Sequence, residues 1–313
     1  MSVRGAAEVI FSPPVQNWLK RAIYRHNCRL SPDHYRSALK HWYWLFKCRP
    51  CHVEEPRTMT EKIHWLKLYD STPLKGRLAD KYLVRQWVAG KVGEKYLVPL
   101  LGVWDSPDEI DFDGLPHSFV LKATHGSGWN ILVPDKGALD EEGARRRLRE
   151  WLGLRQAMKG GFELHYEYCE PRIVCEPFLR DASGGLRDYK FMVFDGVVQF
   201  IFTVDRSPGR TLRGTYLPDW TRAPFEYTCE ADRAPDIPAP AGLETMLSLA
   251  GKLGKGFACA RVDFYEVDGN VYFGEITFTD ADGLSDFAPS CYDRVFGDRI
   301  VLPEKKSFKG VML

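Results

Sequence analysis

Near its C-terminal end the chain reads Arg261-Val-Asp263-Phe-Tyr, then Val-Asp-Gly269-Asn, then Val271-Tyr-Phe-Gly-Glu275-Ile-Thr277. Two alternating apolar runs joined at Asp-Gly-Asn predict a β-hairpin folded about residues 268 to 270. That fold line places Asp263 and Glu275 on facing strands, near one another on one face. Two ionised carboxylates held together call for a divalent cation, because each otherwise disfavours the charge on the other. Read alone, the segment fits equally well two solvent-face acids on an ordinary hairpin.

A second segment reads Ser118-Phe-Val-Leu-Lys122-Ala-Thr-His125-Gly126-Ser127-Gly128-Trp129-Asn130-Ile-Leu-Val133. A strand delivers a lysine, a short glycine loop follows, and a second strand returns. Glycines at 126 and 128 let backbone N–H groups approach an anion closely, which suits a polyphosphate. The loop is no Walker motif, since no Gly-Lys-Ser/Thr follows, and no helical pattern opens after it as a dinucleotide fingerprint requires. A plain hairpin turn is the other reading.

Five blocks, in order, resemble the ATP-grasp superfamily and, within it, the TupA-like group, whose namesake works in teichuronopeptide synthesis. They are Glu61-Lys-Ile-His-Trp65-Leu-Lys-Leu-Tyr-Asp70; Leu78-Ala-Asp80-Lys81-Tyr-Leu-Val-Arg85 running into Val92-Gly-Glu94; Phe119 to Gly128; Asp188-Tyr-Lys190-Phe; and Arg261-Val-Asp263 with Tyr272-Phe-Gly-Glu275. The resemblance spans about Thr58 to Leu302. It implies an α+β ATP-grasp fold, in which two α+β subdomains with mainly antiparallel sheets clamp ATP, plus a short helical N-terminal region. The expected division is 1–115, mainly helical; 116–180, the small lid with the glycine loop; and 181–313, the large subdomain with the metal hairpin.

The resemblance also assigns roles. Lys81 and Lys122 are similar to the two nucleotide lysines, with His125, Gly126, Ser127 and Gly128 forming the phosphate loop. The run Pro171 to Leu179 looks like the hinge strand beside the adenine, with Glu176 and Phe178 facing the nucleotide. Lys190 matches a third phosphate contact, and Arg206 and Arg261 match contacts to a γ-phosphate or acyl-phosphate. Asp263 and Glu275 take the places of magnesium ligands. Where the superfamily pattern is Glu-x-Asn, this chain has Glu275-Ile-Thr277, so the third ligand would be a hydroxyl or a water. ATP and Mg2+ are the implied cofactors.

Such a set implies an ADP-forming carboxylate–amine ligase working through an acyl-phosphate, with charge neutralisation as the main catalytic task. The family points to an amino acid as the amine and to a uronic acid or carboxylated surface polysaccharide as the acid. Trp65, Lys67, Trp129, Tyr166 and Trp220 are candidates to line a sugar site. A kinase, a glycosyltransferase-like protein and a non-catalytic nucleotide-dependent assembly factor are the alternatives. The stretch Thr279-Asp-Ala-Asp282-Gly283-Leu-Ser-Asp286 reads as a solvated acidic loop, or as a source of further contacts.

Composition narrows the classes. With 313 residues, 44% hydrophobic content and a net charge of +1, the chain buries a substantial core and lacks the basic excess of a dedicated nucleic-acid binder. It has no run of 18 apolar residues, and Arg4, Glu8 and Pro13-Pro14 break any signal core, so a cytoplasmic location without a transmembrane segment is expected. Oligomeric state leaves no signal. The eight cysteines read as free thiols, and Cys48-Arg-Pro-Cys51-His52 as a chance match to the haem-attachment pattern. Periodicity predicts helices over His34–Phe46, Thr60–Tyr69 (capped by Thr58 or Thr60), Asp80–Lys91, Asp140–Arg155 and Leu243–Leu253. The connector 234–240 and the tail 303–313 are expected to be exposed and mobile.

Overall fold

The computed structural model describes residues 13–180, 186–207, 210–228 and 232–313. Three helices open it: α1 (Pro13–Asn27), α2 (Tyr35–Lys47) and α3 (Met59–Tyr69). Thr58 caps α3: its hydroxyl accepts from the Glu61 N–H at 3.2 Å, and the Glu61 carboxylate accepts from the Thr58 N–H at 3.1 Å. This is the reciprocal arrangement that satisfies two orphan donors at once. The helix α4 (Pro73–Ala79) is not among those that periodicity predicts. Pro73 occupies the first turn, where its missing N–H costs nothing, behind the Thr72 cap. α5 (Leu83–Val92) begins later than expected, since Asp80 spends its Oδ1 on the N–H groups of Tyr82 and Leu83.

Four antiparallel strands form the smaller sheet in the order β1-β4-β2-β3, from β1 (Gly102–Trp104), β2 (Phe119–Ala123), β3 (Asn130–Val133) and β4 (Ile173–Pro177). β1 thus extends this sheet upstream of residue 116. Helix α6 (Glu141–Leu152), capped by Asp140, covers the sheet through Ala144 and Leu148, which join Phe119, Leu121, Ile131, Ile173 and Cys175 in one core.

The larger sheet has six strands ordered β11-β10-β5-β6-β7-β9: β5 (Arg187–Phe194), β6 (Val197–Ser207), β7 (Arg210–Tyr216), β9 (Asp232–Arg233), β10 (Ala260–Val267) and β11 (Asn270–Thr277). All neighbours are antiparallel except β7 and β9. Strand alternation sorts its side chains into two cores. Phe191, Val193, Val262 and Phe264 pack with α5 and with α7 (Leu243–Gly254). Met192, Phe200, Phe202 and Val204 face α2, α3 and α8 (Cys291–Arg299). A two-stranded ladder of β8 (Glu226–Thr228) and β12 (Asp286–Ala288) closes that second side.

The tail and the connector are exposed at most positions, as expected, but each is anchored to the body of the protein. The tail is docked: the Lys306 N–H donates to the Tyr69 carbonyl at 2.7 Å, its ammonium lies 2.6 Å from Asp70, and Phe308 is buried. The connector is pinned where the Trp220 indole donates to the Ile237 carbonyl at 3.0 Å. Residues 279–285 are no solvated loop, for Thr279, Asp280, Leu284 and Ser285 are buried. Cys51 lies in the core, where burial pushes its thiol up to about 12, while Cys48 is exposed at the end of α2. The two thiols share no metal-like environment.

Candidate active site

The β10–β11 hairpin forms about its Asp268-Gly269 turn, where both residues take positive φ. Its register sets Asp263 directly opposite Glu275, and the β10–β5 register sets Asp263 opposite Lys190. Lys190, Asp263 and Glu275 therefore form one row across three strands. Arg261, two residues before Asp263, is on the same face. Its guanidinium spans the row: Nε to Asp263 Oδ1 and Nη2 to Asp263 Oδ2 are both 2.7 Å, and Nη2 to Glu275 Oε1 is 2.7 Å. Nη1 reaches Asp280, whose other oxygen accepts from the Tyr227 hydroxyl at 2.5 Å. Lys190 contacts Asp263 and stands 3.8 Å from Asp188. Thr277 donates to Glu275 Oε1 at 3.3 Å.

The smaller sheet supplies the facing wall. Lys122, on β2, donates to Glu176 Oε2 on β4 at 2.5 Å, and Arg85 approaches Glu176 Oε1 at 3.8 Å. Lys81 donates to the Gly126 carbonyl at 2.5 Å, tying the glycine loop down. The two glycines are needed for different reasons. A Cβ on residue 126 would sit 2.2 Å from the Trp129 ring, whereas Gly128 holds φ +75, a left-handed conformation that suits glycine. Ser127 and Gly128 form the exposed tip. His125 turns inward instead: its Nε2 is 3.1 Å from the Trp151 carbonyl, its ring packs on Trp129, and burial lowers its pKa. The imidazole is thus spent inside the small sheet's core, a correction to its expected place among the anion-facing groups. Phe178 follows β4, with the Arg180 guanidinium 4.7 Å from its ring. Arg206 pairs with Thr211 in the β6–β7 ladder, and its side chain lies outside the described residues.

The two walls act on one another. Burial pushes the Glu275 carboxyl up, but Arg261, Lys190, Lys81 and Lys122 together draw it down to about 2. Four cations nominated from four separate stretches of sequence thus converge on one carboxylate, two from each sheet's side of the cleft. Asp280 is likewise held down by Arg261 and by the Tyr227 hydrogen bond against the effect of burial.

Asp263 is buried and sheathed by Arg261 and Lys190, so its oxygens are already committed. Glu275 is 36% exposed, and among the described residues its Oε2 accepts no hydrogen bond. No group of three or more His, Cys, Asp or Glu side chains among the described residues forms a ready cage. Magnesium commonly takes only one or two carboxylates and completes its shell with phosphate and water, so the donors fit an ion held at the outer side of Glu275.

The expected sugar platform does not assemble. Trp65 is buried against Tyr69, Trp129 against His125, and Lys67 is buried beneath Asp282; Tyr166 packs at a tilt against His165, and Trp220 stacks on Tyr216 in the other core. Sequence reasoning also missed Arg85, Asp280, Tyr227 and Glu163. Asp280 lies in the acidic stretch that reads as loop, and Glu163 has no motif around it. Glu163 accepts from Thr279 and, at 2.8 Å, from Gln156.

The TupA-like ATPgrasp family model matches residues 61–301. The chain belongs to the TupA-like ATP-grasp family. Membership carries the family's α+β ATP-grasp fold to this chain. No curated protein matches it. Solved structures similar to it include a D-alanine–D-alanine ligase from Bacillus anthracis complexed with ATP, at 16% identity and TM-score 0.39, covering 71% of this chain and 64% of that one. Others are the D-alanine–D-alanine ligase of Helicobacter pylori (15%, TM-score 0.40, 73% and 59%) and an L-amino acid ligase from Bacillus licheniformis (15%, TM-score 0.38, 66% and 42%). The TupA-like chain spans less than two thirds of each. No described helix is long and apolar enough to cross a membrane.

Proposed function

We propose that this TupA-like protein is an ADP-forming carboxylate–amine ligase that joins an amino acid to a uronic acid or a carboxylated surface polysaccharide. The observation that carries the reading is the convergence of Lys81, Lys122, Lys190 and Arg261 on Glu275. A carboxylate substrate attacks the γ-phosphorus of ATP, the bond to the β,γ-bridging oxygen breaks, and ADP departs. The amine then attacks the acyl carbon, loses a proton, and expels inorganic phosphate. Each step moves negative charge among oxygens, so the protein's task is to hold cations where charge develops.

In this reading Lys81 and Lys122 take the triphosphate at the glycine loop, with the backbone at 126–128 completing the cradle. His125 contributes through its main chain only. Lys190 and Arg261 face the transferred phosphoryl group, with Arg206 as a further candidate. Glu176 and Phe178 flank the adenine edge. Glu275 would hold magnesium through its uncommitted oxygen, with Asp263 and Thr277 as further ligands once Arg261 and Lys190 turn to phosphate; the ion when bound would supply further neutralisation of the phosphate oxygens. The working division is a helical region to residue 115, a lid to 180 and a large subdomain beyond, in the cytoplasm.

The test is phosphorus NMR of the protein with Mg2+ and ATP, offered uronic acids and amino acids singly and in pairs. ADP and phosphate released only with an acid and an amine together supports the ligase. A new phosphoester resonance would replace it with a kinase.

A further inference from the structure

Outside the cleft, the stretch with the most uneven charge is the first pair of helices. Residues 13–53 hold eight lysines and arginines against the single acid Asp33, whereas the whole chain nets only +1, so the remainder is acidic. Three of the eight are committed: Lys40 to Glu54, Lys47 to Asp286 and Arg49 to Asp293. The other five, Lys20, Arg21, Arg25, Arg29 and Arg36, are all exposed and make no ion pair among the described residues. Unpaired surface cations at this density repel one another and gain from an external polyanion.

The same helices carry apolar groups that face water. Trp18 is 68% exposed, Trp44 56%, Leu45 55% and Leu19 39%. None is surplus from the core, which α1 and α2 already serve through Tyr24, Tyr35, Leu39, Trp42 and Tyr43. On α1 the spacing of Trp18, Arg21 and Arg25 puts an indole and two guanidiniums on one stripe, and Arg29 follows two residues beyond the helix end. Asn27 anchors the inner side by donating to the Met158 carbonyl at 3.1 Å.

We infer that the outer face of α1 and α2 docks on an anionic lipid membrane surface. Arginine and lysine at the headgroup level with tryptophan and leucine reaching into the acyl boundary is the chemistry of an interfacial helix. A nucleic acid would use the cations but would leave Leu19 and Leu45 idle. Binding of this type is reversible and screened by salt. The inference stands apart from the ligase reading, since none of these residues is among those assigned to ATP, magnesium or the transferred phosphoryl group.

Flotation of the full chain with phosphatidylcholine vesicles, with and without phosphatidylglycerol, tests it. Expected are binding that requires phosphatidylglycerol, a steep loss with added salt, and a blue shift of tryptophan emission. Arg21→Glu with Arg25→Glu should lower partitioning more than ~10-fold, from ~1 kcal/mol per cation. Arg36→Glu, on the other helix, should act in the same direction if the α1 variant folds poorly, and Trp18→Ser with Trp44→Ser should remove the blue shift. No binding to phosphatidylglycerol vesicles, or binding indifferent to these changes, overturns the inference. Displacement by polyuridylate with no dependence on Trp18 or Trp44 would assign the face to nucleic acid. Concentration-dependent self-association that Trp18→Ser abolishes, without vesicle binding, would assign it to a second copy.

Discussion

Lys122 and Glu176 stand diagonally across the β2–β4 pair, ammonium to carboxylate at 2.5 Å. A triphosphate at the glycine loop competes with that carboxylate for the same cation. Lys122→Met should weaken ATP binding about 10- to 100-fold, the range for losing one charge-assisted hydrogen bond. Glu176→Gln, which releases Lys122, should not weaken its hold on phosphate. Calorimetric titration with ATP decides the matter, and an unchanged affinity in Lys122→Met would remove the lysine from the nucleotide site.

Arg261 satisfies Asp263, Glu275 and Asp280 together. Arg261→Ala should cost about 3–5 kcal/mol in urea unfolding, because it strands buried carboxylates. Asp263→Asn and Glu275→Gln should each abolish magnesium-dependent turnover. Retained turnover in both would overturn the metal assignment.

Gly126 abuts the Trp129 ring, and the Gly126 carbonyl receives Lys81. Gly126→Ala must shift either the indole or the loop. The expected outcome is altered tryptophan fluorescence together with weaker nucleotide binding. Normal ATP affinity in this variant would show that the loop conformation is irrelevant to phosphate.

Glu163 carries a pH dependence of unusual sign. Burial, then the neighbouring Asp282, raises its carboxyl from the ordinary 4.5 to about 7. The folded chain therefore keeps a proton that the unfolded chain has shed between those values. Its contribution to stability is complete below about 4.5 and is lost as pH rises through 7. Glu163→Gln should gain stability relative to the parent between pH 5 and 8. His165, depressed from 6.5 to about 3 by burial, has the opposite slope in both proteins and cancels in the comparison. Parallel stability curves would mean that Glu163 titrates normally.

Deleting residues 304–313 removes the Lys306 pairing with Asp70 and the buried Phe308 ring. The ring alone accounts for about 1.5–3 kcal/mol of burial. Thermal melting should show a clear loss, and an unchanged midpoint would return the tail to the status of a loose end.

Much of this was legible because its signals are local. The turn at Asp268-Gly269 fixes the hairpin and its register as far as Phe264 and Phe273, and a bulge beyond them, which no local signal announces, brings Asp263 opposite Glu275. The capping box at Thr58 announces α3, and the lysine before a glycine loop announces β2. Other features depend on distant partners. Nothing near Asp280 indicates that Arg261 will bury it, and nothing near Lys306 indicates that Asp70 awaits it. His125 illustrates the converse. Its neighbours suggest a ligand-facing loop, yet Trp129 and the Trp151 carbonyl draw the ring inward. Tryptophan count misled for the same reason, since indole area serves a core as readily as a sugar.

The row Lys190–Asp263–Glu275 joins positions that enter the chain some seventy residues apart, and its central guanidinium is balanced only once Asp280 is present. During synthesis, then, a growing polypeptide can complete its small sheet and glycine loop well before the opposing charges exist. A partly made chain could hold the small sheet in shape yet have nothing opposite it, so the cleft comes into being only after the β10–β11 hairpin and Asp280 have followed.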